Sequence, residues 1–389
     1  MPILPLLYLI CGLTDFAAFV VVFTVSRSLA ETNAEPWYLG IVGAGLSCCA
    51  GVGSFLGGWL SHRFDGRVVF LSGATTIALI IVACGLVDHH NLFFLPGYWL
   101  LGIGLGFLYP PLMGWLNQGE DPHANRRGVS RRLILFCVAW NVGMMCGQLA
   151  AGSLFSWGAD SAYLVAFLVA LLNVAIAFVA VRRVVPLAAV PDDVKRQDHE
   201  GMALAAAFKQ LSWLANLGGM FGGSMVIHLL PDLAVHIGVA PDDHGKLLAC
   251  WRAVIIATYL LMHGVAFWHY RLNTALASQA LGASGLVVIA LAESAMTLFI
   301  GLALLGQLVG YNYFSGLFYS TAGSSHDRRA LAAGMAVGTI AGGVLGSLAG
   351  HRMPYLLAAA WWSWVRPLEN RRLAAVTEPS LSFDVDELP

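Results

Sequence analysis

The chain has 389 residues, of which 58% are hydrophobic and 11% charged, against about 25% charged in an ordinary soluble domain. With a mean hydropathy of +0.73 it carries too little polar surface to cover a water-facing particle of its size. Its 21 Lys and Arg against 22 Asp and Glu leave a net charge of -1, so no global field selects nucleic acid or an acidic partner.

A bilayer core about 30 Å thick is crossed by roughly 20 apolar helical residues. Runs of that kind follow one another at 3–27, 37–60, 68–87, 92–116, 132–155, 160–182, 206–230, 245–268, 273–292, 295–320, 330–350 and 353–368. The first lacks a basic leader and is too long for a cleaved signal, so it counts as a span. The last is short and rich in Trp (Trp361, Trp362, Trp364). Seven cysteines, Cys11, Cys48, Cys49, Cys84, Cys137, Cys146 and Cys250, fall inside these runs without zinc or redox spacing and read as small hydrophobes.

Lys and Arg gather in loops on the cytoplasmic side of a membrane protein. With the N-terminus inside, seventeen of the 21 fall in cytoplasmic segments; only Arg27, Lys246 and Arg352 fall outside, and Arg252 lies within a span. An even number of helices with both termini cytoplasmic follows, as expected for an inner or plasma membrane protein. The longest polar break, 186–205, carries Pro191, Asp192, Asp193, Lys195, Arg196, Asp198 and Glu200. It separates a six-span unit, 1–185, from a second, 206–372; residues 373–389 form an acidic tail expected to be disordered.

The two units superpose in sequence. At a shift of 204, Gly102, Gly106 and Tyr109 meet Gly306, Gly310 and Tyr313, each set on one helix face. Arg126 and Arg127 meet Arg328 and Arg329, and Gly143 and Gly147 meet Gly342 and Gly346, in the same order. The expectation is an all-α polytopic membrane protein with about 12 transmembrane helices in two pseudo-symmetric six-helix bundles. That organisation resembles the major facilitator superfamily.

The family's signature between its second and third helices reads about G-x-L-A-D-R-x-G-R-R. Here the loop gives Gly58, Leu60, Arg63 and, after a one-residue insertion, Gly66 and Arg67, with His62 in place of the signature Asp and Asp65 nearby. The resemblance makes Gly58, His62, Arg63, Asp65, Gly66 and Arg67 a candidate gating loop, without the usual Asp of the latch. A second signature, of proton antiporters, is met by Gly143, Gly147 and Gly152 but has Gln148 for Pro and Ala151 for Gly.

Ionisable side chains inside the hydrocarbon layer are functional candidates by default. Asp15 lies about twelve residues into the first span, roughly 18 Å deep at 1.5 Å per residue. Arg252 lies in the eighth span and His228 in the outer half of the seventh. Asn141 and Gln148 share a stripe of the fifth, and Gln307 and Asn312 lie on the tenth. All seven are on helices that the family resemblance assigns to a central cavity. Against this stand structural readings, such as a hydrogen bond between packed helices for Asp15 and an ion pair or a snorkelling side chain for Arg252. Tyr109-Pro110-Pro111 removes two backbone donors and is expected to bend or break the fourth span.

The leading expectation is a secondary transporter that moves a small solute by alternating access, with Asp15 as the candidate for coupling to protons and with no cofactor, no metal and no enzymatic role. Its partners would be the solute, the bilayer and protons, and the chain is expected as a monomer. The alternatives are a polytopic membrane transferase, for which Asp88, His89 and His90 form no recognisable motif, and a non-transporting sensor. Substrate and direction of transport stay open at this stage.

Overall fold

A computed structural model describes residues 3–117, 126–185 and 203–320, apart from 92, 266 and 270, together with 352, 354–356 and 358–359. The expected eleventh span, most of the twelfth, the linker up to 202 and the acidic tail lie outside the described residues. Every regular element among the described residues is helical: α1 (Ile3–Glu31), α2 (Pro36–Arg63), α3 (Gly66–Leu86), α4 (Phe94–Asn117), α5 (Arg126–Trp157) and α6 (Ala159–Val181), then α7 (Ala203–His228), α8 (Leu230–His236), α9 (Pro241–Gly264), α10 (Leu272–Ala290) and α11 (Ala295–Ser320). Nine of them are long and apolar enough to cross a membrane. α7 has the length, 26 residues, but Lys209, Gln210, Asn216 and four glycines dilute its apolar character. The chain is an all-α polytopic membrane protein.

Large apolar side chains on the outside are consistent with lipid as the solvent. On α6, Leu164, Leu168, Leu171, Leu172 and Phe178 are all exposed, a stripe that would be a liability in water. Trp37 and Trp157 stand exposed near helix ends, the level at which aromatic side chains favour the membrane interface.

Without a hydrophobic drive between helices in lipid, close packing depends on small residues, and the glycines supply it. A Cβ on Gly106 would overlap the backbone of Gly53 and Ser54 in α2, and one on Gly102 the carbonyl of Leu46. In the second half, a Cβ on Gly306 would lie 2.8 Å from the Trp251 ring and one on Gly310 2.8 Å from Thr258, both on α9. The sequence repeat is thus a repeat of one helix crossing, α4 on α2 and α11 on α9. The neighbouring crossings match as well: Gly73 meets the Gly104 carbonyl between α3 and α4, and Gly285 meets the Gly301 carbonyl between α10 and α11. Gly143 and Gly147 let α5 press on Gly12 and Phe16 of α1.

Three details differ from the sequence expectation. α4 runs unbroken through Pro110 and Pro111. The carbonyl of Gly106, freed by the missing Pro110 donor, packs against the bare Cα of Gly57, where a Cβ would come within 2.6 Å. The gap that the sequence leaves between the spans 206–230 and 245–268 is mostly helix, because the short α8 follows the seventh span at once and α9 begins at Pro241. Arg27, the last residue of the first span by sequence and counted there with the outer segments, is well inside α1 and buried.

The two ends of the bundle are held differently. At the arginine-rich end, among the described residues, hydrogen bonds tie the helices of the first half: Tyr8 donates to the Arg132 carbonyl, Arg132 to Leu116, Trp115 to Val185 and Arg67 to Val184. At the opposite end they cross between halves. Gly152 of α5 packs on Pro241 and Gly245 of α9, Ser153 donates to Asp242 over 2.6 Å, and Arg27 donates to the Val239 carbonyl over 2.9 Å. His244 lies on the Phe23 ring with centroids 5.0 Å apart, and His228 fills the space above Gly43 of α2. Among the described residues, these contacts tie the two halves together at the end away from the arginines.

Candidate functional site

α1, α4, α5 and α9 carry the polar groups that meet near the middle of the bundle. Asp15, 2% exposed, accepts a hydrogen bond from the Tyr109 hydroxyl of α4. The Cys11 thiol, one turn earlier on α1, stands 4.0 Å from both the Asp15 carboxylate and the Tyr109 hydroxyl. Tyr109 is brought there by the glycine seam that seats α4. Thr14, beside Asp15, receives the Asn173 amide of α6 over 2.8 Å, which fixes the rotation of α1 about its axis.

Arg252 of α9 faces this acid from the other half, close enough for the two charges to act on each other, without a direct ion pair. Its guanidinium lies over the Trp251 ring at 4.3 Å and the Phe19 ring of α1 at 5.4 Å, and its buried Nε has no hydrogen-bond partner. Toward the arginine-rich end an aromatic wall continues from it: Tyr259 is 6.0 Å from Tyr313, which is 5.3 Å from Trp140 of α5. Asn141, next to Trp140, donates to the Cys137 carbonyl and leaves its buried Oδ1 unpartnered.

The other sequence candidates lie elsewhere. Gln148 and His228 are at the end away from the arginines, Gln148 where its carbonyl meets Gly245 and His228 against Gly43. Gln307 donates to Ser278 of α10 over 2.9 Å. Asn312 accepts from Gln279 of α10 and donates to the Ala215 carbonyl of α7, which ties three helices of the second half together. In the loop between α2 and α3, Asp65 caps α3 by accepting from the Arg67 amide, Gly66 opens that helix, and Arg67 reaches Val184 at the end of α6. Arg63 lies over the Trp59 ring and Gly58 faces open space; the His62 side chain lies outside the described residues.

Sequence reasoning missed Tyr109 as the partner of Asp15 and the aromatic set Trp140, Trp251, Tyr259 and Tyr313. The spacing of Tyr109 and Tyr313 in the repeat was the available signal, since both follow a glycine pair by one turn. It also missed His244, a fully buried histidine with both ring nitrogens unpartnered. No group of three or more His, Cys, Asp or Glu suited to a metal occurs among the described residues.

Three solved structures similar to this one are described as transporters or transporter homologues. A bacterial homologue of the human lysosomal transporter Spinster, described as inward-facing and unoccupied, matches with a TM-score of 0.72 and 14% identity over 97% of this chain and 98% of that one. A structure described for substrate recognition in proton-dependent oligopeptide transporters gives 0.71 and 13% over 96% and 99%. The nucleoside transporter NupG gives 0.64 and 13% over 96% and 99%. At such identities the likeness is one of fold. No curated protein matches the sequence. A family model described as Major Facilitator Superfamily matches residues 6–351, and with it the helix repeat, the glycine crossings and the apolar surface come under one heading: the chain belongs to the major facilitator superfamily.

Proposed function

We propose that the protein is a secondary transporter that moves a small solute by alternating access, with its site at Asp15 and Arg252 between the two halves and a proton carried by Asp15. The observation that carries this reading is the arrangement of one buried acid and one buried base on opposite halves, between the contacts that tie the halves at the end away from the arginines and the aromatic contact of Trp140 with Tyr313. Parting the halves at the outer end would expose the pair to one side of the membrane, and parting them at the aromatic wall would expose the same pair to the other. A buried carboxylate that alternates between two aqueous compartments is suited to take up and release a proton.

Positive charge marks the cytoplasmic side, so the arginine-rich end is assigned inward, both termini are cytoplasmic, and the contacts of Gly152, Ser153 and Arg27 with the second half lie on the outer side. The membrane is the cytoplasmic membrane and the unit is a monomer. The loop from Gly58 to Arg67 would act on the cytoplasmic side as part of the first half, with Asp65 capping α3, Arg67 tying α3 to Val184 after α6, and His62 in the place of the usual latch Asp. One of the similar structures is described as proton dependent, which agrees with a proton at Asp15.

The test is sided labelling of a single cysteine in place of Trp140, at the aromatic wall, after the seven native cysteines are replaced by Ala. In oriented vesicles a membrane-impermeant maleimide should reach it from the cytoplasmic side in one fraction of molecules and from the other side in another, in proportions that change with pH. Labelling from one side alone under every pH and solute condition would refute alternating access and favour a sensor.

A further inference from the structure

Arg252 is the least satisfied charge among the described residues. It is 4% exposed, its Nε is sealed from solvent without a partner, and it forms no ion pair with any described acid. Two aromatic faces, Trp251 and Phe19, lie against it. They recover part of the lost hydration but leave its planar fork of donors empty. The nearby acid does not fill that fork, because Asp15 is held by Tyr109 on its own half. A guanidinium fork matches a carboxylate in two parallel hydrogen bonds, and it repels a cation. The aromatic wall of Trp140, Tyr259 and Tyr313 beside it suits an apolar body.

Resting on the transporter reading above, we propose that the solute is a small organic monoanion whose carboxylate is held by Arg252, and that it binds together with one proton taken up by Asp15. The charge balance is the reason for joining the two. Empty, the site holds Asp15 ionised and Arg252 charged, a net charge of zero. Loaded, a proton sits on an Asp15 carboxylate oxygen and the solute's negative charge replaces that of Asp15 opposite Arg252, again zero. No bond of the solute is made or broken, and both forms can pass through a closed, low-dielectric state without an uncompensated charge. The anion without the proton would leave two negative charges against one positive, and the proton alone would leave Arg252 unbalanced. The Tyr109 hydroxyl can donate to the ionised acid and accept from the protonated one, so it stays bonded in both.

The titratable groups facing Asp15 agree with a single exchanging site. They are Cys11 on its own helix, Tyr109 on α4, Arg252 on α9 and, behind Cys11, Cys137 on α5; Tyr259 faces Arg252 from its own helix. α6 contributes the neutral Asn173 amide. His228 of α7 and His244 of α9 lie toward the end away from the arginines, on Gly43 and Phe23.

The experiment is a thermal-shift titration of the full-length protein with benzoate, phenylacetate and isobutyrate, compared with benzamide, benzylamine and phenylalanine, at pH 5.5 and 7.5. The three carboxylates should stabilise the wild type, and more at pH 5.5, with the apparent affinity falling by about tenfold per pH unit where Asp15 is losing its proton. Arg252→Gln should weaken them by about 10- to 100-fold, the loss expected with a charge-assisted hydrogen bond. Asp15→Asn should bind them with little pH dependence. If Arg252→Gln does not fold, the flattened pH profile of Asp15→Asn still decides. Stabilisation by the amide, the amine or the zwitterion in place of the carboxylates, no stabilisation by any carboxylate, or a pH slope unchanged in Asp15→Asn would overturn the proposal. Because sided labelling at Trp140→Cys does not depend on solute charge, alternation without carboxylate binding would remove the anion assignment alone, and loss of alternation would remove both.

Discussion

Gly152→Ala should part the two halves at the end away from the arginines without unfolding the protein. The added Cβ would stand 2.7 Å from the Pro241 carbonyl oxygen, 2.9 Å from the Gly245 Cα and 3.2 Å from the Asp242 Cα, all backbone atoms. Ordinary contacts begin at about 3.5 Å, so α5 and α9 would have to separate by several tenths of an ångström. Overpacking of this kind costs about 1–3 kcal/mol. At about 1.4 kcal/mol per tenfold, the equilibrium should move roughly 5- to 150-fold toward the state open at that end, because the cost falls only where the halves touch. Gly147→Ala is the control. Its Cβ would stand 2.5 Å from the Phe16 carbonyl oxygen, inside the first half, so it should lower stability in both states alike. Spin labels at Trp157→Cys and His236→Cys in a cysteine-free background, both at exposed positions on opposite halves, would read the populations as a distance distribution. A longer distance should grow in with Gly152→Ala and not with Gly147→Ala. An unchanged distribution in a folded Gly152→Ala protein, or the same shift from both variants, would refute the reasoning.

Leu at Gly106 or at Gly310 should lower the melting temperature sharply or abolish expression, since each crossing has no room for a side chain, whereas Leu at Gly97, where nothing lies within 4 Å, should be tolerated; equal tolerance at all three would dissolve the repeated seam. In the α3–α4 loop, burial holds the His89 imidazole below its ordinary pKa, with Tyr163 at 2.6 Å. The unfolded chain therefore takes up the extra proton first, and stability should fall as pH drops below about 6.5. His89→Gln should flatten that part of a melting-temperature profile between pH 7.5 and 5.5.

What the sequence revealed and what it hid have the same cause. Span positions and the charge bias survive in any arrangement of the helices, so they were readable from runs of apolar residues and the placement of Arg. The glycine pairs were readable because a crossing in lipid depends on them at fixed spacing. Helix rotation was not, because in lipid both the packed face and the outer face are apolar and no polar stripe marks the phase. Gln307 and Asn312 therefore looked equivalent to Asn141, although they bond to α10 and α7 within their own half. Arg27 looked like a loop residue because it closes an apolar run, and only the distant Val239 carbonyl explains its burial. Asp65 sat in a transport signature, yet its carboxylate performs the ordinary task of capping α3.

Gradient-driven uptake in reconstituted vesicles, measured for wild type and Asp15→Asn in parallel with counterflow, tests the coupling most directly. With a carboxylate that stabilises the protein, wild type should accumulate the solute under an inward proton gradient and exchange it in counterflow. Asp15→Asn keeps the size and hydrogen bonding of the side chain but cannot carry a proton, so it should exchange the solute and fail to accumulate it. Accumulation by Asp15→Asn equal to wild type would contradict the assignment of Asp15 as the proton carrier, and loss of both modes together with thermal stability would show it to be a structural acceptor for Tyr109.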